Sequence, residues 1–442
     1  MFMSQTPLVL FGLVLLCHHV SDAFTQTGAT AAKPTQMTIK NVPMNAAATT
    51  LTNIDEVKKR NKTQTTKWIA CSSTKEMNRA ISEYIKEGDV VAELGSQLRE
   101  SSRSLCEAVG QSGVAVLVDI ERKSPNEKKG QDRTSAMRRN GDEVDFYPDR
   151  STFIETKSFE FWRHALFFQN DVQQQHNKHG YDALVVDMST VAGNDLELTC
   201  ISLVKEFISL NAGSGEHENP CRVVIVKSKS LHNLARRLHH AQRIISGSQS
   251  IIEKRGTSII AAVGVEQYRQ TIPFAVKRGD VCCEVGCHLG TSTMLIDAAA
   301  RDVQQIDANQ VSTGGCVGLD IGSSIIRSAQ EKYPQLSFEV GNGFKTGEIA
   351  RLTSKHLLRE GGSSAIDVVY VDIGGLSGSE GLLESVALLS SITNALEPRC
   401  IVIKSLCVRR LASSLVPFSD VWREMKLLQQ RQDFTVEDKG QL

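Results

Sequence analysis

The sequence predicts a tandem pair of doubly wound α/β sheets, each made of parallel strands alternating with helices in the Rossmann-like manner. Three observations predict it. Segments of the first half recur in order in the second, most candidate strands are continuous rather than alternating in hydrophobicity, and helical segments with stop residues separate them. TKWIAC at 66–71 recurs as TSIIAA at 257–262, and KEGDVVAELG at 86–95 as KRGDVCCEVG at 277–286, each 191 positions later (66 and 257, 88 and 279, 93 and 284). YDALVVDM at 181–188 matches IDVVYVDI at 366–373, and PCRVVIVKS at 220–228 matches PRCIVIKS at 398–405. A period of about 190 residues is far too long for a solenoid, so a whole domain is duplicated.

From the N-terminus, residues 8–20 form an apolar stretch of 13 residues, too short to span a bilayer and suited to a signal-peptide core, although no Lys or Arg precedes Lys33. Residues 1–23 are therefore read as a leader. The Ala- and Thr-rich segment that follows, free of acids before Asp55, is read as a transit-like linker over 24–65 that cannot bury a core. A hydrophobic leader, then Ala23-Phe24, then a hydroxylated acid-free tract resembles the bipartite plastid presequence of algae with secondary plastids. A plastid location is expected; the alternative is the secretory pathway, where Asn61-Lys62-Thr63 would be a glycosylation sequon. No membrane span is expected in the mature chain.

The first copy is assigned to 66–255 and the second to 256–442, with the two packed against each other. In the second, 281–285, 315–319, 368–371 and 400–403 are continuous rather than alternating in hydrophobicity, the pattern of strands covered on both faces, and 336–340 is read as a further strand. Residues 291–301, 324–333 and 381–396 carry helical patterns, the last stopped by Pro398. In the first copy, 121–150 interrupts the scheme as a charged loop whose first 19 residues hold seven Lys/Arg against three acids. The second copy ends soon after Phe434, leaving little chain for a closing hairpin; strand 258–263 or the first copy is expected to cover that edge.

The 442 residues are 41% hydrophobic and 23% charged, an ordinary globular mixture. With 50 basic and 50 acidic residues no global field draws the chain to nucleic acid or membrane. Aromatics at 5% disfavour a base-stacking platform. The 11 cysteines include no CxxC pair and lie mostly in apolar runs, which argues against zinc or dithiol chemistry and for a reducing compartment. No metal site is expected.

In open parallel sheets ligands bind beyond the carboxyl ends of the strands, at the switch point. The second copy places there Glu284, Gly286, His288, Gly290 and Thr291. Its glycines permit a tight turn and close approach to the backbone, ahead of a helix with free N–H groups. Asp320, followed by Ile321, ends strand two where it can accept hydrogen bonds from ribose hydroxyls. Asn342 and Gly343 form a small polar turn after strand three, and Asp372 ends strand four. This pattern resembles the class I S-adenosylmethionine-dependent methyltransferases over about residues 66–442, as two copies. The resemblance implies S-adenosylmethionine as cofactor, with its methionine part at the first turn, ribose on Asp320 and adenine beside Asn342 and Gly343. A nicotinamide-binding fold expects paired glycines in GxGxxG, which the run from Gly286 to Gly290 lacks.

In the first copy Arg99 and Glu100 stand where the second has Gly290 and Thr291, so that copy is read as degenerate, although Asp119 keeps the ribose position. Asp372 and Lys404 end adjacent strands and are the candidate catalytic pair, repeated as Asp187 and Lys227. The pair is similar to the lysine–aspartate–lysine constellation of fibrillarin and the rRNA ribose 2′-O-methyltransferases. The additional lysine is absent, its aligned position being Glu266, whereas the first copy has Lys75 there. The basic run 236–243 and Arg409-Arg410 offer phosphate contacts to an RNA acceptor, against the plainer reading of a solvated helix face. His176, His179, His217 and His232 are read as surface residues. The expected function is methyl transfer to an acceptor the sequence does not name, RNA ribose or a small molecule; the alternative is a non-catalytic scaffold that keeps the fold.

Overall fold

In the computed structural model the described residues are 65–95, 100–120, 151–156, 161–168, 180–191, 196–213, 221–248, 256–301, 314–357, 365–376, 378 and 381–419. The leader, almost all of the linker, the insertion 121–150, Arg99, His176, His179, His217 and Phe434 lie outside them. From Gln64 onward the chain forms one unit. No helix of the described residues is long and apolar enough to cross a membrane.

The first half supplies β1 (Lys67–Cys71), β2 (Val90–Leu94), β3 (Val114–Ile120), β4 (Ser151–Thr156), β5 (Ala183–Asp187), β6 (Val223–Lys227) and β7 (Leu238–His240). The second supplies β8 (Ser258–Ala262), β9 (Val281–Val285), β10 (Gly315–Asp320), β11 (Ser337–Val340), β12 (Val368–Val371), β13 (Cys400–Lys404) and β14 (Leu415–Pro417). Every residue of β5, β8, β9 and β12 is buried, as continuous apolar runs require of strands covered on both faces. The described thiols, ten in all, are buried and unbridged within this framework. Burial pushes Cys283 and Cys400 up to about 12, so these thiols stay protonated and pack as small apolar groups.

Helices connect the strands: α1 (Thr74–Tyr84), α2 (Glu100–Val109), α3 (Glu197–Gly213), α4 (Lys229–Arg237) and the short α5 (Ala241–Ile245) in the first half. The second half carries α6 (Gly264–Gln270), α7 (Thr291–Ala300), α8 (Ser323–Lys332), α9 (Thr346–His356), α10 (Gly381–Leu396) and α11 (Leu406–Ser414). The sequence reading leaves α9 out. Its apolar residues Ile349 and Leu352 are few, and the helix is held by burying them against the sheet.

The first sheet runs β4-β3-β2-β5-β6-β1-β14 and the second β11-β10-β9-β12-β13-β8-β7, with every pairing parallel. The two orders correspond position for position, which makes the chain a tandem pair of Rossmann-like doubly wound sheets. The outermost strands are exchanged. β7, from the end of the first half, pairs with β8 through His239 and Ile260, and β14, from the end of the second, pairs with β1 through Ile69 and Val416. Each half thus closes the other's sheet, and the edge that sequence reasoning left open is covered by both β8 and the first half. Pro417 fits the last position of an edge strand, where its missing N–H breaks no ladder.

One apolar core passes through both halves, joining Phe207 and Val204 to Val386 and Leu389. Ser390 Oγ donates to Glu197 Oε1 at 2.6 Å, tying α10 to α3. A groove of about 600 Å³ between those helices, lined by Trp162, Leu203, Leu383 and Ala387, marks where the halves meet.

The repeated Gly-Asp before β2 and β9 serves the fold at the amino ends of the strands. Asp280 accepts from Lys277 N and pairs with Arg399 at 2.5 Å, and Asp89 accepts from Lys86 N and pairs with Arg222 at 2.6 Å.

Candidate functional site

The chain leaves β9 for β10 and β11 on one side and returns to β12 and β13 on the other, so the switch-point crevice opens at the carboxyl ends of β9 and β12. The turn after β9 runs through Gly286 (φ 79°), His288 (φ 49°) and Gly290 (φ 75°), three left-handed residues within five. Gly286 N donates to Leu319 O at 2.7 Å, fastening the turn to β10. Both glycines are needed, but by the protein itself. A Cβ at Gly286 would strike the Asp372 carbonyl, and one at Gly290 would enter the Phe338 ring. The tight turn expected of these glycines is thus set by the packing of the turn itself. Gly343 is likewise buried, with Val285 where its side chain would be.

Glu284 is not at the open mouth. It is 2% exposed beneath the turn, where Thr293 Oγ1 donates to Oε2 at 2.5 Å and Tyr268 Oη donates to Oε1 at 3.4 Å. Burial, partly offset by the Thr293 hydroxyl, pushes it up to about 8, so at neutral pH it holds a proton. Glu93 in the first half is also buried, accepts from Ser101 Oγ at 3.0 Å, and is pushed up to about 7 by burial. The duplicated glutamate therefore underpins each turn from below.

Asp320 lies at the mouth. Its Oδ2 accepts from His288 N at 3.2 Å and its Oδ1 from Gly322 N at 2.9 Å. Those bonds aim the carboxylate while leaving further lone pairs for hydroxyl donors. The backbone of His288 serves this anchoring and its side chain is exposed. Ile321 beside it is 73% exposed, and Phe344, beyond the Asn342–Gly343 turn, is 51% exposed. Leu289 and Val340 add exposed apolar surface at the same strand ends. Leu289, Val340 and Phe344 are what sequence reasoning missed; the available signal was a lone Phe just past a small polar turn. Asn342 is occupied locally, its Oδ1 accepting from Phe344 N at 3.0 Å. Thr291 Oγ1 accepts from Lys332 Nζ at 3.3 Å, and Arg269 Nε donates to Ser292 Oγ at 3.0 Å, so two cations flank the start of α7.

Asp372 and Lys404 are brought together at 2.5 Å, at the ends of adjacent β12 and β13. Asp187 and Lys227 form the same pair at 2.6 Å in the first half. The serine after each lysine caps the next helix: Ser405 accepts from Val408 N and Ser228 from Leu231 N. The pair therefore belongs to the duplicated scaffold as well as to the mouth. In the first half Gly95 keeps φ 76°, and its N donates to Val118 O at 2.9 Å. His232, expected at the surface, is buried, with Nε2 3.2 Å from Ser419 Oγ, because α4 packs against β14.

No protein-family model matches this chain, and no curated protein does. Two solved structures of Haemonchus contortus phosphoethanolamine N-methyltransferase 2 are similar to it at 11% identity and a TM-score of 0.19. One is in complex with phosphomonomethylethanolamine and S-adenosylhomocysteine and the other with S-adenosyl-L-methionine; each alignment covers 74% of this chain and 73% of the other. A likeness of that size carries no weight for the site, and the tandem Rossmann-like fold stands on the strand order itself.

Proposed function

We propose that the chain is an S-adenosylmethionine-dependent methyltransferase with its donor site at the mouth of the second sheet. The observation that carries this reading is a carboxylate aimed by two backbone N–H groups, Asp320, beside large apolar side chains left in solvent at the same strand ends. Ribose hydroxyls suit the first, and a purine face suits Ile321, Val340 and Phe344. When bound, S-adenosylmethionine supplies a methyl carbon on a positively charged sulfur, a leaving group that needs no acid.

The chain's own task is then to align the acceptor and to exclude water. Asp372 offers lone pairs to the proton of an acceptor hydroxyl or amine, and the Lys404 ammonium, 2.5 Å away, orients that carboxylate. Gly290 and Thr291 favour the second half over the first, where Arg99 and Glu100 stand at the corresponding positions.

Isothermal titration with S-adenosylmethionine and S-adenosylhomocysteine tests the reading. Asp320→Asn is expected to weaken binding at least tenfold, about 1.4 kcal/mol, while leaving the melting temperature of the free protein near wild type. A wild-type protein with neither heat of binding nor thermal stabilisation, at a concentration where a micromolar ligand would add about 2.7 kcal/mol, supports the non-catalytic scaffold instead.

A further inference from the structure

Two basic runs far apart in sequence, 236–243 and Arg409-Arg410, meet at one corner of the second sheet. The first is not one solvated helix. It divides into the end of α4, the exchanged strand β7 and the start of α5. The register sets its height: His240 is level with Ala261, Ala261 with Ile403, and Ile403 with Val371. Ala241 therefore stands level with Lys404 and Asp372, two strand spacings or about 10 Å from β13. His240 and Arg243 come from the first half, whereas Arg409 comes from the first turn of α11 in the second.

Among the described residues no carboxylate forms an ion pair with Arg243 or Arg409. The Arg409 Nε is shielded from solvent and has no hydrogen-bond partner among the described residues. Burial first, then the Arg409 and Arg243 charges, lower the proton affinity of His240, which places both guanidinium groups in its field. His240 Nδ1 accepts from Gln242 N at 3.1 Å, and Gln242 Oε1 accepts from Gln267 Nε2 at 3.0 Å, so the ring and the loop are held in place. The described residues at the matching corner of the first sheet differ. His232 occupies the place of Arg409 and bonds Ser419, and Phe418 is 2% exposed.

We infer that Arg409, Arg243 and His240 form a subsite for a phosphate group on the acceptor, built by the exchanged strand at the acceptor side of the second mouth. This rests on the methyltransferase reading for the word acceptor, but the anion site itself does not. The shared chemistry is a phosphate, carried either by RNA or by a phosphorylated small molecule.

The test is binding of inorganic pyrophosphate and of a fluorescein-labelled ten-nucleotide RNA to the full chain, with S-adenosylmethionine binding measured in parallel. Arg243→Gln/Arg409→Gln is expected to weaken pyrophosphate binding at least tenfold and to leave S-adenosylmethionine binding unchanged. Arg327→Gln, an exposed cation on α8, is expected to change neither. Exposed Arg243→Gln alone, which disturbs no packing, is expected to give part of the loss. RNA that binds with a steeper salt dependence than pyrophosphate and is displaced by it identifies RNA as the source of the phosphate. Pyrophosphate binding without RNA binding identifies a small molecule. Either result supports the subsite. Wild-type protein that binds neither probe, or a double variant that binds both as wild type, overturns it; loss of S-adenosylmethionine binding by the wild type overturns the functional reading instead.

Discussion

Glu284 and Glu93 occupy equivalent strand positions, each buried with hydroxyl partners, and burial raises them from the ordinary 4.5 to about 8 and about 7. In the unfolded chain both return to the ordinary value. The folded state then holds protons that the unfolded state has lost, so their contribution is complete below pH 4.5 and falls as pH rises through about 7 and about 8. The slope is at most about 1.4 kcal/mol per pH unit for each group. Glu284→Gln mimics the protonated carboxyl at every pH, and urea unfolding at pH 4.5, 6 and 8.5 should show near wild-type stability at the lowest pH and a shallower fall as the pH rises. An unchanged slope would mean that the folded carboxyl is ionised. Gly286→Ala combines a positive φ with a collision against the Asp372 carbonyl, and is expected to cost about 2–3 kcal/mol. Gly347→Ala, in a helix with nothing within 4 Å, should gain up to about 1 kcal/mol. Chemical denaturation of the two variants checks the contrast. Sequence alone placed a glycine at 286; which atoms demand it depends on β12, which arrives 86 positions later in the chain at Asp372.

Among the elements, the short exchanged strands carry more structural weight than their length suggests. β14 is three residues long, and Leu415 is buried against the first half although it belongs to the second. Leu415→Asp would bury a carboxylate without a partner in that core, at an expected cost of about 3 kcal/mol. Amide hydrogen exchange should quicken first in β1, at Trp68 to Ala70, rather than in β13. Faster exchange confined to the second sheet would refute the exchanged pairing. The long strands could be read from sequence because burial on both faces leaves an unbroken apolar run. β7 could not, because Leu238-His239-His240 sits among arginines and reads equally well as a helix face. Its strand state follows from pairing with β8.

At the scale of the whole molecule, the chain from Gln64 onward forms one compact unit. Reciprocal strands and a core that includes Phe207 and Leu389 mean that opening either sheet strips an edge from the other. A single calorimetric transition, with van't Hoff and calorimetric enthalpies equal, is expected despite the duplicated architecture. Two resolved transitions would show that each half is stable without the other's strand.

By itself the sequence determined the duplication, the parallel strands and the residues that end them, among them Asp320, Asp372 and Lys404. Those features are local: a strand buried on both faces must be apolar along its length, and a turn must begin where the run stops. Only the tertiary structure decided which half closes which sheet, what fills the space over Gly286 and Gly290, and that Arg243 and Arg409 share a corner. Those outcomes depend on contacts between segments far apart in the chain, where the pairing partner, and not the local pattern, selects the conformation.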